Sequence, residues 1–318
     1  MREKIIQILK NREGYVSGEE ISAHLQISRQ ALWKHIQELR DTGYEIIAVP
    51  HLGYQLAASP DKLLPLEIAD KLQTRLIGKQ IHYFDCVSST MDIAWQKAMA
   101  GLPDGGLVVA EAQHKGRGRF ARQWVSPKYK GIYFSFVLRP KILPGQSPLL
   151  TMLAAVGICE AIKAKTGLDP QIKWPNDILL HQKKVAGILT ELNAEMDEVH
   201  FVVIGIGLNV NNDKKTLPPA ATSLKEQTKT QINRVDLLQE ILRRIEENYL
   251  VFQKGARQRI IEKWREYNLT LGRRVKIAYH HQQLEGLAVD LDKDGALLVR
   301  GDSGVIQRIT AGDIIHCR

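Results

Sequence analysis

Cysteine is scarce in this chain of 318 residues: Cys86, Cys159 and Cys317 are odd in number, far apart and outside any CxxC spacing. That excludes a disulfide framework and predicts reduced thiols in a cytosolic protein. Long apolar runs are missing too. The longest uncharged stretch, ending before Glu160, carries Pro144, Gly145, Gln146 and Pro148 in its first half, so no spanning helix and no membrane contact is predicted. From Arg2 onward charged and apolar residues alternate, leaving no apolar core for a secretory signal. Repeats and low-complexity tracts are absent. With 44% apolar and 25% charged residues the chain is neither disordered, collagenous nor coiled-coil, and its length predicts two or three domains.

Acidic residues are missing from one long segment. Between Ala112 and Cys159 there is none, while Lys115, Arg117, Arg119, Arg122, Lys128, Lys130, Arg139 and Lys141 all fall there. The formal charge of +9 is concentrated accordingly: seven Lys/Arg offset seven Asp/Glu in residues 1–57, and seven offset six in 269–318. Uncompensated central cations imply an anionic ligand or partner, against the plainer reading of a solvated face.

Residues 1–58 read as one small module. Apolar spacing through Ile5, Ile8 and Leu9 predicts a first helix; Ser17 with Glu20 forms a capping box for a second; Ser28 caps a third, which runs to about Asp41 with Leu32, Ile36 and Leu39 on one face. Gly43 ends it, and YEIIAVPHLGYQL alternates like a two-stranded ribbon. Three helices and a hairpin are the layout of a winged helix-turn-helix. Its reading helix would offer Ser28, Arg29, Gln30, Lys34 and His35 to the base edges and phosphates of DNA. The neutral charge of the module leaves a protein-interaction role open.

Residues 57–65 break every pattern and form a linker. Strand and helix signals then alternate, so residues 66–268 are expected to form an α+β domain. In 269–318, short alternating segments separated by turns at His280–Gln283, Asp292–Gly295 and Gly301–Gly304 predict five strands closing into a small SH3-like barrel. The fold class is therefore multidomain α+β.

The sharpest local signal is HKGRGRFARQW, His114–Trp124. Gly116 and Gly118 allow close backbone approach, and Arg117, Arg119 and Arg122 suit phosphate oxygens. Its match to G-x-G-x-x-A is not a dinucleotide fingerprint, since no acid follows before Glu160 to hold a ribose. A flexible basic surface loop is the alternative. KWPND, Lys173–Asp177, ends a strand that is expected to pair in a hairpin with KKVAGIL, bringing Lys173, Asn176, Asp177 and Lys184 together. A lysine there would neutralise charge developing in phosphoryl or nucleotidyl transfer. Ser88, Ser89 and Thr90 sit where a strand passes into a helix, as helix caps or as contacts to a neutral polar ligand. In GIGLNV, Gly205–Val210, the glycines read as close packing.

Taken in order, SST, Q-x-x-GRGR-x-x-R-x-W, KWPND, K-x-AGIL and G-x-G-x-N, behind a helix-turn-helix and ahead of a small β domain, resemble the bifunctional biotin–protein ligases and biotin-operon repressors over essentially the whole chain. The resemblance implies a central ligase domain with a mixed sheet. It implies biotin and ATP as substrates, Mg²⁺ accompanying ATP, and biotinoyl-5′-AMP as the intermediate. It also implies biotin transfer to a lysine of a biotin carboxyl carrier domain, and a homodimer on operator DNA when the adenylate is bound. By the same resemblance Ser89, Thr90 and Gln113 hold the ureido ring, and Arg117 and Arg119 the carboxylate and phosphates, with Gly116 and Arg122 assisting. Trp124 packs on adenine, Asn176 reads it, and Lys184 contacts the reacting carboxylate and α-phosphate. Asp177 either orients Mg²⁺ or helps deprotonate the carrier lysine. Met91 stands where the family often has Asn, and Ala121 where GRGRRGR-like versions carry Gly. A ligand-sensing transcription factor without turnover is the alternative function.

Overall fold

The computed structural model describes residues 1–279 and 282–317, in two compact units, 1–62 and 63–318. The expected turn at His280–His281 and the side chain of Cys317 lie outside the described residues.

In the first unit, α1 (Arg2–Lys10), α2 (Gly18–Leu25) and α3 (Arg29–Asp41) precede a hairpin of β1 (Glu45–Val49) and β2 (Gly53–Ala58). Ser17 Oγ accepts from Glu20 N at 3.0 Å and Ser28 Oγ accepts from Ala31 N at 3.1 Å, so both hydroxyls satisfy otherwise orphaned helix donors. Ile5, Ile6, Leu9, Ile21, Leu32, Ile36 and Leu39 close the core. Val16 exchanges two backbone hydrogen bonds with Tyr54, each 2.8 Å, which ties the wing to the start of α2. This close approach requires Gly53, whose φ is +110° and whose Cβ would meet Val16 O at 2.1 Å.

The second unit begins with α4 (Pro65–Ala69), β3 (Ile81–Phe84), α5 (Thr90–Met99), β4 (Leu107–Ala110), β5 (Gly131–Leu138) and α6 (Pro148–Thr166). There follow β6 (Gln171–Lys173), β7 (Asp177–Leu180), β8 (Lys183–Ala194), β9 (Val199–Asn209), α7 (Leu224–Thr228), α8 (Arg234–Gln253) and α9 (Arg257–Glu266). Seven strands form one mixed sheet in the order β3-β4-β5-β9-β8-β7-β6, parallel only between β3 and β4. α6 and α8 bury the main core on one face, while α5 covers part of the other beside Met91, Val108, Val137 and Val203. Pro148 opens α6 rather than interrupting it, because a first-turn proline lacks only a donor that would be orphaned anyway. The resulting helix is long and apolar enough to cross a bilayer by composition, and here its side chains from Leu149 to Ile162 are mostly buried in the core.

Two expectations need correction. KKVAGIL does not pair with PQIKW; β7 lies between β6 and β8, since Asp177–Leu180 after the Trp174–Pro175 turn forms a strand of its own. The C-terminal region is not a closed SH3-like barrel. β10 (Arg274–Tyr279), β11 (Gln282–Leu291), β12 (Leu297–Arg300), β13 (Ile306–Ile309) and β14 (Asp313–Cys317) form an open antiparallel sheet in the order β13-β12-β11-β10-β14. Closure needs the two end strands to meet in register. Among the described residues no ladder joins β13 to β14; β13 ends after four residues and leaves Ile306, Gln307 and Arg308 exposed.

Candidate active site

The chemistry-bearing side chains converge on the face of the mixed sheet that α5 leaves open. Side chains alternate along a strand, so Gly205, Gly207 and Asn209 of β9 all face the same side, and Gly187 of β8 lies directly opposite Gly207 in the ladder. The missing side chains make room. A Cβ on Gly207 would meet Trp124 Cε2 and Nε1 at 2.4 Å, and one on Gly187 would meet Trp124 Cζ3 and Lys184 Cε at 3.1 Å. The indole of Trp124 thus rests on a bare glycine floor, while Met91 Sδ occupies the space over Gly205, 2.4 Å from where a Cβ would stand. Close packing, as read from the sequence, is the role of these glycines, and it shapes the cleft.

A cavity of about 230 Å³ opens above this floor. Ser89, Thr90, Gln113, Arg117, Arg119, Arg122, Trp124, Asn176, Asp177 and Lys184 all line it. Of the residues expected there, only Gly116 lies outside. It packs within the loop, where a Cβ would meet Trp124 O at 2.5 Å.

Around Gln113 the polar groups are relayed. Gln113 Oε1 accepts from Thr90 N at 2.8 Å and Thr90 Oγ1 at 3.2 Å, Ser135 Oγ donates to Thr90 Oγ1 at 2.8 Å, and Gln113 Nε2 donates to Ser126 Oγ at 3.0 Å. Ser89 is fully buried as the N-cap of α5 and accepts from Met91 N at 3.2 Å. Ser89 is therefore both a cap and a lining residue.

The cations are held by acids from four directions. Lys184 Nζ is 2.6 Å from Asp177 Oδ1 and 5.4 Å from the Trp124 ring centroid. Arg119 donates to Asn176 Oδ1 at 3.0 Å, and Asn176 donates to Ile188 O at 2.8 Å. Burial pulls the Arg119 guanidinium below its usual range, against the opposing charges of Asp313 and Asp177. Arg122 pairs with Asp313 of β14 at 2.7 Å. Arg117 is turned outward, pairing with Asp92 of α5 at 2.7 Å and with Glu191 of β8; burial opposes its charge, but these two acids hold it above its usual value. At the loop tip Phe120 and Ala121 are both left-handed, with φ of 54° and 56°. Ala121 therefore sits where a glycine would be unstrained, at a cost of roughly 1–2 kcal/mol.

One lining residue, Asn209, was not among those expected. Asn209 donates to Thr222 O at 3.0 Å, but its Oδ1, like Trp124 Nε1, is buried without a hydrogen-bond partner in the protein. Such groups are costly unless something else satisfies them. The G-x-G-x-N pattern carried this signal, since an amide two residues beyond the second glycine must share its face. KWPND also divides its labour. Lys173 Nζ donates to Ile314 O at 2.7 Å and Trp174 Nε1 to Gly295 O at 3.3 Å, so both pin the C-terminal sheet, while Asn176 and Asp177 face the cleft.

In the first unit, Arg29, Gln30 and Lys34 are exposed on α3, with Arg29 held to Glu19 at 2.7 Å. His35 is half-buried with Nδ1 3.2 Å from Glu38, and Ser28 is the helix cap.

With that geometry established, comparison with known proteins defines the class. Residues 83–209 match the biotin/lipoate A/B protein ligase family, 1–55 an HTH domain and 270–317 the biotin protein ligase C-terminal domain. A solved biotin protein ligase from Aquifex aeolicus, in complex with biotin and ATP, superimposes with a TM-score of 0.64 at 30% identity, covering 76% of this chain and 99% of that one. The bifunctional ligase/repressor BirA of Bacillus subtilis (strain 168) is 39% identical over 319 residues, 99% of this chain and 98% of that protein. The protein of the same name from Escherichia coli (strain K12) is 31% identical over 322 residues, 98% of this chain and 95% of that protein. The chain belongs to the BirA family of bifunctional ligase/repressors.

Proposed function

We propose that this protein joins biotin to ATP, releasing pyrophosphate and forming biotinoyl-5′-AMP, and then transfers biotin to a lysine of a biotin carboxyl carrier domain. With the adenylate bound it acts as a homodimeric repressor on operator DNA. One observation carries the enzymatic reading: a neutral donor–acceptor relay, a cation cluster and an aromatic floor with unsatisfied polar groups all open into a single cavity.

The relay of Ser89, Thr90 and Gln113 offers both donors and acceptors, as a ureido ring requires. Trp124 offers a face for adenine, with Asn176 and the unpartnered Asn209 Oδ1 as amide partners for its edge. In the first step the biotin carboxylate oxygen attacks the α-phosphorus, the bond to the bridging oxygen breaks, and pyrophosphate leaves. Lys184 and Arg119 stabilise the charge built up there. To do so Lys184 must exchange Asp177 for the ligand, which frees the Asp177 carboxylate. In the second step that carboxylate is placed to accept a proton as the carrier amine attacks the acyl carbon and AMP departs. Arg117 and Arg122 make the same exchange of carboxylate for ligand. Mg²⁺ would enter with the nucleotide and neutralise phosphate charge, and the Asp177 carboxylate released by Lys184 is the protein group that would orient it.

The test is ATP-dependent transfer of labelled biotin to a carrier domain, with Lys184→Ala in parallel. Transfer by the wild type, falling by about 10²–10³ in the variant, is the expected result. Tight biotin binding with no pyrophosphate release would instead assign the chain to ligand-sensing regulators without turnover.

A further inference from the structure

The reading helix carries a residue that neither the ligase chemistry nor the expected DNA contacts absorb. Trp33 is 57% exposed, the largest side chain on the outward face of α3. It stands three residues after Gln30 and beside Lys34, and residues 29–37 contain no acid. Helical spacing therefore puts Gln30, Trp33 and Lys34 on one patch. The opposite face, Leu32, Ile36 and Leu39, is already spent on the core. Two of the polar groups expected to read DNA are meanwhile committed within the protein, Arg29 to Glu19 and His35 to Glu38.

Trp is among the residue types enriched at the energetic centres of contact surfaces, and this one stands exposed beside an amide and a cation. The chemistry around it selects the occupant. Lys34 suits a polyanion, and the Gln30 amide matches the donor–acceptor edge of adenine in the major groove. Thymine, which pairs with adenine, presents a methyl group in that groove, and an apolar side chain is what recognises it. The module has no net charge to hold DNA through phosphates alone, so recognition must come from close contact. Resting on the DNA-binding reading above, we infer that Trp33 is the apolar base contact of α3 and packs on thymine methyl groups of the operator.

The experiment uses the full chain with biotin and ATP present. A duplex is selected from a random-sequence library, and binding is then measured on derivatives in which each thymine in turn becomes deoxyuridine, which lacks only the methyl. At least one such replacement should weaken the wild type by about 5–10-fold. Trp33→Ala should bind the thymine duplex about 10–100-fold more weakly and be indifferent to that replacement, with Trp33→Phe intermediate. The slope of affinity against salt should not change, because no phosphate contact is removed. Since the side chain is exposed, thermal unfolding of both variants should match the wild type. Equal binding by Trp33→Ala, or weakened binding that keeps full sensitivity to deoxyuridine, overturns the assignment. Selection of no duplex by the wild type overturns the DNA-binding reading itself, and the assignment with it.

Discussion

Gly207→Ala tests whether the cleft depends on its glycine floor. The added methyl would lie 2.4 Å from Trp124 Cε2 and Nε1, whereas carbon atoms in contact settle at roughly 3.5–4.0 Å. The indole must therefore rise by about 1 Å into the cavity. Overpacking of this kind costs about 1–3 kcal/mol, or roughly 5–150-fold in an equilibrium. It falls on the surface proposed for adenine, so KM for ATP should rise by about 10–100-fold while KM for biotin changes by less than about threefold. Gly205→Ala is the control. Its methyl meets Met91 Sδ at the same 2.4 Å, but a thioether on rotatable bonds can move aside, so its effect on ATP should be under about fivefold. Steady-state kinetics of biotin transfer, varying each substrate in turn, make the comparison. An unchanged KM for ATP in Gly207→Ala would refute the role of Trp124 as the aromatic floor, and equal effects from both variants would refute the contrast between rigid and flexible neighbours.

Two further outcomes are expected. Glu246 of α8 accepts three backbone hydrogen bonds, from Arg75 at 2.5 Å and from Leu76 and Ile77 at 2.7 Å each; Glu246→Gln replaces one acceptor with a donor facing an N–H, and should cost about 2–3 kcal/mol, seen as a fall in Tm of roughly 5–10 °C. At Asp104, burial outweighs the hydrogen bonds from Arg139 N and Tyr249 and raises the carboxyl above its ordinary value. An acid raised on folding penalises the fold when ionised, and the penalty fades as pH falls through the folded value to the unfolded one. Asp104→Asn should therefore raise Tm at about pH 7 and lose that advantage by about pH 4; a gain of the same size at both would show that charge burial is not its source.

The parts of this architecture that are local in sequence were legible in it. Ser17 and Ser28 cap the helices they precede, because a hydroxyl three residues before a free N–H is enough to specify the contact. The residues of the cleft were legible as motifs, since glycine, arginine and amide side chains advertise their chemistry. Their partners were not. Arg117 meets Glu191 and Arg122 meets Asp313 across long stretches of chain, and nothing in either segment names the other. Strand β7 was missed because four residues after a Trp-Pro turn carry too little alternation to read. Barrel closure was overread for the converse reason: alternation counts strands, whereas closure depends on stagger between strands far apart. Trp33 is not legible in the same way, because helical periodicity identifies the buried stripe and leaves an exposed aromatic looking like any other residue.

KWPND shows why a motif can be so compact and still serve two ends of the molecule. Lys173 and Trp174 leave β6 toward the C-terminal sheet, where they meet Ile314 and Gly295; the chain turns at Pro175, and Asn176 and Asp177 enter β7 toward the cleft. Trp174 N adds a bond to Thr270 Oγ1 at 2.9 Å, at the point where the chain enters that sheet. From the same sheet Asp313 reaches back to Arg122 in the glycine-rich loop. The C-terminal sheet is therefore coupled to both walls of the cleft, to Asn176 and Asp177 through the backbone of one turn and to the loop through an ion pair. Partly exposed pairs of the latter kind are worth no more than about 1 kcal/mol, which suits a contact that the proposed reaction requires to break when phosphate takes the arginine. The contacts of Lys173 and of the buried Trp174 carry no such requirement, so in the proposed reaction one side of the cleft is fixed by packing while the other is held lightly enough to respond to the ligand.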